Sequence, residues 1–432
     1  MKRIAFKTLG CRLNQYETDA LASQFFEHGY RIVNFDDDAD VVIVNTCTVT
    51  NQSDSKSSQT IKQAISKHPD ALVLVAGCMV NNYGEKLKNK FDRVAWFIDN
   101  KHKSSVFNMV DSYFKGEILH PEDFEGSLFN FETAKKTFHT RSWIKIQDGC
   151  NNFCTYCIIP KVRGRAVSRP LNDVLDNIRQ VVDFGYKEVV LTGVNIGRYY
   201  ESGNNFEDLV EKILDLPGDF RLRIGSIEPE GFGDKLFDLF SHPKLTPHLH
   251  LCIQSGSDRI LKLMHRMYTV KDFTQTVEKI RKRYPDFNFT TDVIVGFPGE
   301  TEADFKETVA IVRKLNFGHV HTFKFSLRTG TRAEKLPERI PEITKTKRSE
   351  VLHRTASEEK RKYRLRMLGK KQKVLIEKIK NGIAYGYGEH YIPVRFEVKN
   401  DNVNRFAEVM LAELPEGDDP VFNGAISRED ER

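Results

Sequence analysis

Three cysteines, Cys150, Cys154 and Cys157, fall within eight residues in a C-x3-C-x2-C loop that reads Gly149-Cys150-Asn151-Asn152-Phe153-Cys154-Thr155-Tyr156-Cys157. Cysteine thiolates are the usual protein ligands of iron–sulfur clusters, and three at this spacing suit a 4Fe-4S cluster. No fourth cysteine lies close by, so one iron is left open to a substrate or cofactor, as in catalytic metal sites. A structural zinc site is the competing reading. Such sites usually use paired C-x2-C arms and close all four positions with protein ligands, which the loop does not do.

A second set of cysteines emerges from the elements that precede the loop. Apolar runs at Ile4 to Leu9, Val41 to Asn45 and Leu72 to Ala76 alternate with amphipathic stretches at Glu17 to His28 and Ser57 to Lys67, the pattern of an open parallel α/β sheet. Each run ends in a cysteine: Cys11, Cys47 and Cys78. The C-terminal strand edges of a parallel sheet share one crevice, so these three can converge. Core cysteines would fall inside the runs as often as at their ends, which favours a second ligand triad over small buried residues.

From Thr140 onward a strand at Trp143 to Ile146 feeds the first loop. Five βα repeats follow, with strands at Glu188 to Leu191, Arg221 to Ile224, His248 to Cys252, Asn288 to Val293 and Val320 to Phe325. Six parallel strands predict a partial (β/α)6 barrel with its working groups on loops at the C-terminal face. A helical region is expected from Asp258 to Arg283, and Cys252 reads as a buried hydrophobe. The strand ends bring Thr192, Gly193 and Asn195, then Ser226 and Glu228, Gln254 and Ser255, and Asp292 to that mouth. None of these loops has P-loop spacing.

Residues 341–373 are strongly basic, with Arg361, Lys362, Arg364, Arg366, Lys370, Lys371 and Lys373 crowded together. They read either as a solvated helix face or as a phosphate-contacting segment. Beyond them, runs at Lys373 to Lys378, Tyr391 to Val398 and Phe406 to Leu414 predict a small all-β unit, in which Tyr385, Tyr387, Tyr391 and Arg395 offer stacking and basic groups. The expected division is 1–115, a connector at 116–139, a catalytic barrel at 140–370 and the β unit at 371–432.

The 432 residues are 40% hydrophobic and 29% charged with a net charge of +6, ordinary for a globular protein. The start, Met1-Lys2-Arg3-Ile4-Ala5-Phe6-Lys7, has no long apolar core after its charges. No apolar run is long enough for a membrane span, and the seven cysteines suit a reducing compartment, so a cytoplasmic protein is expected.

With both triads placed, the chain resembles the radical S-adenosylmethionine (SAM) methylthiotransferase family over essentially its full length: an N-terminal cluster domain, a radical SAM core and a TRAM domain. Lys7-Thr8-Leu9-Gly10-Cys11, Asn45-Thr46-Cys47-Thr48-Val49-Thr50 and the loop around Cys150, with Tyr156 as its aromatic, are similar to the MtaB-like branch. The isopentenyladenosine branch tends to carry a serine and an arginine shortly after the second cysteine, where Thr48 and Thr50 stand here, and the ribosomal-protein branch differs there too. The resemblance implies methylthiolation of carbon 2 of N6-threonylcarbamoyladenosine-37 in tRNA, with two 4Fe-4S clusters. Cys150, Cys154 and Cys157 would hold the cluster whose open iron binds SAM, and Cys11, Cys47 and Cys78 the auxiliary one. One SAM would supply a 5'-deoxyadenosyl radical that removes hydrogen from the adenine, a second the methyl group. The barrel-mouth residues Tyr156, Thr192, Gly193, Asn195, Ser226, Glu228, Gln254, Ser255, Arg266 and Asp292 would contact SAM. Implied partners are a tRNA anticodon stem-loop, a flavodoxin- or ferredoxin-like electron donor and a sulfur donor. A non-catalytic iron–sulfur RNA-binding or electron-transfer protein is the rival class, and the open iron argues against it.

Overall fold

The computed structural model describes residues 1–135, 139–399, 402–417 and 419–426. Val41–Thr46 and Leu72–Gly77 are runs of branched apolar residues and lie buried on both faces, as the centre of a parallel sheet requires. They belong to a five-stranded parallel sheet in the order Arg31–Val33, Arg3–Thr8, Val41–Thr46, Leu72–Gly77, Trp96–Ile98. The two edge strands, three residues each, carry too little alternation to be seen in the sequence. Helices Arg12–Glu27 and Val106–Phe114 cover one face through Tyr16, Phe25 and Phe107, and Asn51–Lys67 covers the other through Ile61 and Ala64. The register pairs Thr8 with Asn45 and Thr46 with Gly77, so the strand ends that lead into the cysteines lie level.

The second unit has the six parallel strands expected: Arg141–Lys145, Glu188–Thr192, Arg221–Ile224, His248–Leu251, Asn288–Val295 and His319–Lys324. The third strand breaks at Gly225, and its continuation, Ser226–Ile227, pairs with His248–Leu251 instead. Alternation along the strands sorts side chains by chemistry. Ile144, Val189, Leu191, Leu222, Ile224, Leu249 and Leu251 enter the apolar core beneath the helices. The opposite face carries Arg141, Glu188, Arg221, Arg223, His248, His250 and Asp292, joined across strands by ion pairs and hydrogen bonds. The barrel therefore encloses a charged chamber rather than an apolar plug.

The helical region expected from Asp258 to Arg283 consists of two helices, Asp258–Leu263 and Val270–Arg283. Between them His265 takes a left-handed φ of 58°, and a capping box of Thr269 with Asp272 starts the second helix. The break turns His265 and Arg266 toward the cysteine loop.

Residues 342–367 of the basic stretch form one 26-residue helix, Glu342–Met367, and several of its basic groups and those just after it are paired. Arg348 pairs with Glu300 at 2.6 Å, Arg364 with Asp419 at 2.8 Å, and Lys370 with Asp286. These partners lie far away in sequence, so the charge run alone conceals them. Tyr363 and Met367 of the helix enter the core of a closed five-stranded barrel built from Lys371–Lys380, Ile383–Tyr387, Pro393–Glu397, Phe422–Ile426 and Phe406–Glu413. That closed barrel is consistent with a TRAM domain. Its Tyr387 and Tyr391 stack on each other, centroids 4.9 Å apart, and face the larger barrel instead of forming an outward platform. Arg221 donates to the Tyr387 carbonyl at 3.0 Å, and Asn288 to the His390 carbonyl at 2.7 Å.

Candidate active site

The loop 149–157 is held by its backbone. Gly149 has φ 68°, and a Cβ there would sit 2.0 Å from the Arg165 carbonyl oxygen, so glycine is required where the loop crosses. Cys150 N–H donates to Gly164 at 3.1 Å and Thr155 N–H to Met264 at 3.0 Å, while the Thr155 carbonyl accepts from Ala333 at 2.7 Å. The three thiols are half-buried. Burial pushes all three up, Cys157 to about 12. Thiolates at this place thus need a compensating cation, and a three-thiolate donor set of this kind fits an iron cluster.

Arg266 and Glu228 close over the loop as a pair. Arg266 Nη1 lies 2.8 Å from Glu228 Oε1 and donates to Cys154 Sγ at 3.1 Å, and Asn152 Nδ2 donates to Glu228 Oε2. Tyr156 sets its ring edge-on to Phe297. Gln147 staples the next strand's loop to this one: its Oε1 accepts from Val194 and Asn195 N–H at 2.9 and 2.8 Å, and its Nε2 donates to the Asp148 and Gly149 carbonyls. Beside Cys150 the Asn195 carboxamide is buried and hydrogen-bonds the Cys150 thiol, which offsets part of the upward push of burial on that group.

The remaining mouth residues divide. Thr192 and Gly193 bracket the Gln147 staple, and Ser226 is exposed at the rim. Gln254 has φ 66° and bonds through its backbone to Asp292 at 2.9 Å, a strained turn at the chamber wall. Ser255 does not join them: it is buried against Thr308, at 3.4 Å, and accepts from Ser257 N–H. Cys252 corrects the sequence reading. It shares the inward face with His248 and His250, and its thiol lies 3.9 Å from Asp292 Oδ2, while His250 Nε2 lies 3.2 Å from Asp292 Oδ1.

Cys11, Cys47 and Cys78 do converge. A Cβ on Gly10, at φ 98°, would lie 2.8 Å from Cys47 Sγ, and burial together with Cys11 and Cys78 pushes the Cys47 thiol up. Ser57 fixes Cys47 through its backbone, donating to the Cys47 carbonyl at 2.9 Å. Asn100 approaches Cys78 Sγ at 3.7 Å and donates to the Val162 carbonyl at 2.9 Å. Cys78 packs against Ile158 and Val162, immediately after Cys157. The two triads are therefore adjacent.

The family model described as Uncharacterized protein family UPF0004 matches residues 3–99, and that of the Radical SAM superfamily matches residues 144–312. The chain is 38% identical over 423 residues to the threonylcarbamoyladenosine tRNA methylthiotransferase MtaB of Thermotoga maritima, covering 96% of each chain. It is 34% identical to the Bacillus subtilis protein of that name, covering 95% of this chain and 94% of that one. The chain belongs to the radical SAM tRNA methylthiotransferases. A tRNA-2-methylthio-N(6)-dimethylallyladenosine synthase of Acetivibrio thermocellus is also 34% identical, over 95% of this chain and 88% of that one. In fold, the methylthiotransferase is similar to the radical S-adenosylmethionine methyltransferase TsrM of Kitasatospora setae, with TM-score 0.55 at 14% identity over 77% of each chain. A 4Fe-4S cluster and SAM are the cofactors of this class of enzyme.

In this methylthiotransferase a buried charge network fixes one triad relative to the other. Glu17 accepts from Lys103 at 2.5 Å, Lys145 at 2.9 Å and Arg163 at 3.2 Å. Asp148 pairs with Lys145 at 2.6 Å and Arg163 at 2.8 Å, and Asn14 accepts from Arg163 at 2.7 Å. Lys103, Lys145 and Arg163 hold Glu17, and Arg163 and Lys145 hold Asp148, below the ordinary carboxylate range despite burial. On the far side Arg328 donates to Asp54 at 2.7 Å and to Thr48, next to Cys47, at 2.9 Å. Sequence reasoning missed Asn14, Glu17, Gln147, Arg163 and Arg328. Their only signal was proximity to a cysteine, within six residues for Asn14, Glu17, Gln147 and Arg163. No helix among the described residues is long and apolar enough to cross a membrane.

Proposed function

We propose that this enzyme methylthiolates carbon 2 of N6-threonylcarbamoyladenosine-37 in the anticodon stem-loop of tRNA, with two 4Fe-4S clusters and two SAM molecules per turnover. The contact of Cys78 with Ile158, one residue past Cys157, supports it most directly, since it sets an N-terminal triad beside the radical SAM loop. The names of the MtaB relatives support the nucleoside.

Cys150, Cys154 and Cys157 would hold the cluster that takes SAM, and Cys11, Cys47 and Cys78 would hold the second. When bound, these groups supply the radical and the sulfur that ordinary side chains cannot provide. The protein's part is orientation. Asn195 places its carboxamide beside Cys150, within reach of SAM, and the Gln147 staple keeps that loop at a fixed height. The Arg266–Glu228 pair closes the Cys154 side and keeps its charges balanced. On this reading residues 1–115 carry the auxiliary cluster, 140–370 the radical chemistry and 371–432 the RNA contact. A flavodoxin- or ferredoxin-like donor supplies electrons, and a separate donor supplies sulfur.

Mass spectrometry of tRNA nucleosides from a deletion strain tests the reading. Loss of the methylthio group from threonylcarbamoyladenosine is expected; loss from isopentenyladenosine alone would overturn the branch.

A further inference from the structure

A cavity of about 730 Å³ opens where the N-terminal sheet, the first barrel strand and the C-terminal barrel meet, and Cys11, Arg12, Arg141, Trp143, Tyr387 and Tyr391 line it. Its charge is unusual. Arg12 lies over the Trp143 ring at 5.1 Å and has no hydrogen-bond acceptor or carboxylate partner among the described residues. Arg223, 1% exposed, sits 4.3 Å over Tyr391; it gives two nitrogens to Glu188, while its Nη1 is buried with no partner. The Trp143 indole N–H is also buried and unpaired. Arg141 is paired with Glu377 and Glu188. Arg12 further opens the helix Arg12–Glu27, whose first turn has no acidic residue and whose cap makes no side-chain hydrogen bond. Among the lining residues Arg12 and the Trp143 indole N–H are thus donors left over, while the lining carboxylate Glu377 is taken up by Arg141 and Arg223 stands outside the lining. An isolated guanidinium in such a place is costly unless an anion completes it.

We propose that this cavity seats the modified nucleoside with its anionic substituent on Arg12, which selects for a carboxylate. The inference rests on the function proposed above. A threonylcarbamoyl group ends in a carboxylate, whereas a dimethylallyl group is neutral. On adenine, carbon 2 and carbon 6, which bears N6, flank the same ring nitrogen, so a base that presents carbon 2 to the Cys11 side presents its N6 substituent close by, where Arg12 stands. A backbone phosphate offers the same anionic chemistry and would reach Arg12 by a different route.

The test uses the reconstituted holoenzyme and three anticodon stem-loop RNAs. One carries threonylcarbamoyladenosine, one the same group with its carboxylate converted to an amide, and one unmodified adenosine. Wild type should bind and turn over the first best. Arg12→Gln should raise its Kd and KM about 10- to 100-fold, the range for a charge-assisted hydrogen bond, and leave binding of the amide RNA unchanged. Arg12→Lys should recover part of the loss. Equal weakening of all three RNAs by Arg12→Gln, with a flatter salt dependence, would assign Arg12 to a phosphate and overturn the proposal. So would no change at all. Unaltered iron content and melting temperature show that the variant is folded. If wild type instead rejects the carboxylate RNA, the proposed function fails, a result independent of Arg12.

Discussion

Glu17, on the first helix of the N-terminal unit, accepts a hydrogen bond from Lys145, on the first strand of the barrel, at 2.9 Å, and both side chains are fully buried. The residues stand 128 apart in sequence. Because Glu17 follows Cys11 on one side and Lys145 leads into Cys150 on the other, the pair fixes the separation of the two triads. Glu17→Gln would leave Lys103, Lys145 and Arg163 with Asp148 as the only carboxylate of the network. Breaking a buried pair from one side costs about 3–5 kcal/mol, so the melting temperature should fall by several degrees, read by circular dichroism. An unchanged melting temperature would mean that the network adds nothing to stability.

The two triads make separable demands for iron. Replacing Cys11, Cys47 and Cys78 together by alanine should lower the iron content of reconstituted protein to about half if each triad holds one 4Fe-4S cluster. Reduction with SAM should still yield 5'-deoxyadenosine, since the loop around Cys150 is intact. Iron at the wild-type level would make the N-terminal triad structural.

Gln147 gives a prediction that the sequence did not suggest. Gln147→Leu removes the acceptor shared by the Val194 and Asn195 N–H groups, and each buried donor left unpaired costs about 1–3 kcal/mol. The loop carrying Asn195 should loosen and SAM affinity fall at least tenfold, measured by equilibrium binding. Equal affinity would show that the loop is positioned from elsewhere.

Acid should loosen the join between the two barrels. Burial lowers His390, beneath the large barrel, and His319, on its last strand, to about 4 from the ordinary 6.5. Both stay neutral in the folded protein down to about pH 4, whereas the unfolded chain takes up their protons below about 6.5. Between those values the unfolded state binds more protons, so stability falls as pH drops from 6.5 toward 4. The urea midpoint should decline over that window, and His390→Gln should flatten the decline. A parallel decline in the variant would remove His390 from the account.

How far the sequence spoke differs by residue. Cys11, Cys47 and Cys78 were legible because a strand end is a position that periodicity can locate, and the register then sets such ends side by side. The six barrel strands were legible for the same reason. Glu17 was not, because an acid within an amphipathic helix reads as solvent-facing until its three distant cations are known. Arg364 was open to two readings, a solvated face or a phosphate contact, because Asp419, which pairs with it, lies 55 residues on, and the chain must close a β-barrel to bring them together. Cys252 was misjudged because a strand alternates and a cysteine fits either face.

The pairing of Arg364 also bears on where RNA is contacted. With Arg364 and Lys370 engaged in internal pairs, Arg364→Ala should destabilise the protein more than it weakens RNA binding. A second cavity, of about 480 Å³, continues from the first along the C-terminal barrel and is lined by Lys378, Lys380, Tyr385 and Tyr387. Lys378 and Lys380 are exposed on the strand Lys371–Lys380, beside an exposed Tyr385. Lysines next to an open aromatic suit a single-stranded loop, which binds through phosphates and stacked bases. Lys378→Ala with Lys380→Ala should weaken stem-loop binding whatever the modification at position 37. It should also reduce the slope of log affinity against log salt by roughly 0.7 for each phosphate that is no longer neutralised. An unchanged slope in that variant, with a reduced one in an Arg364 variant that remains folded, would return the RNA to the helix.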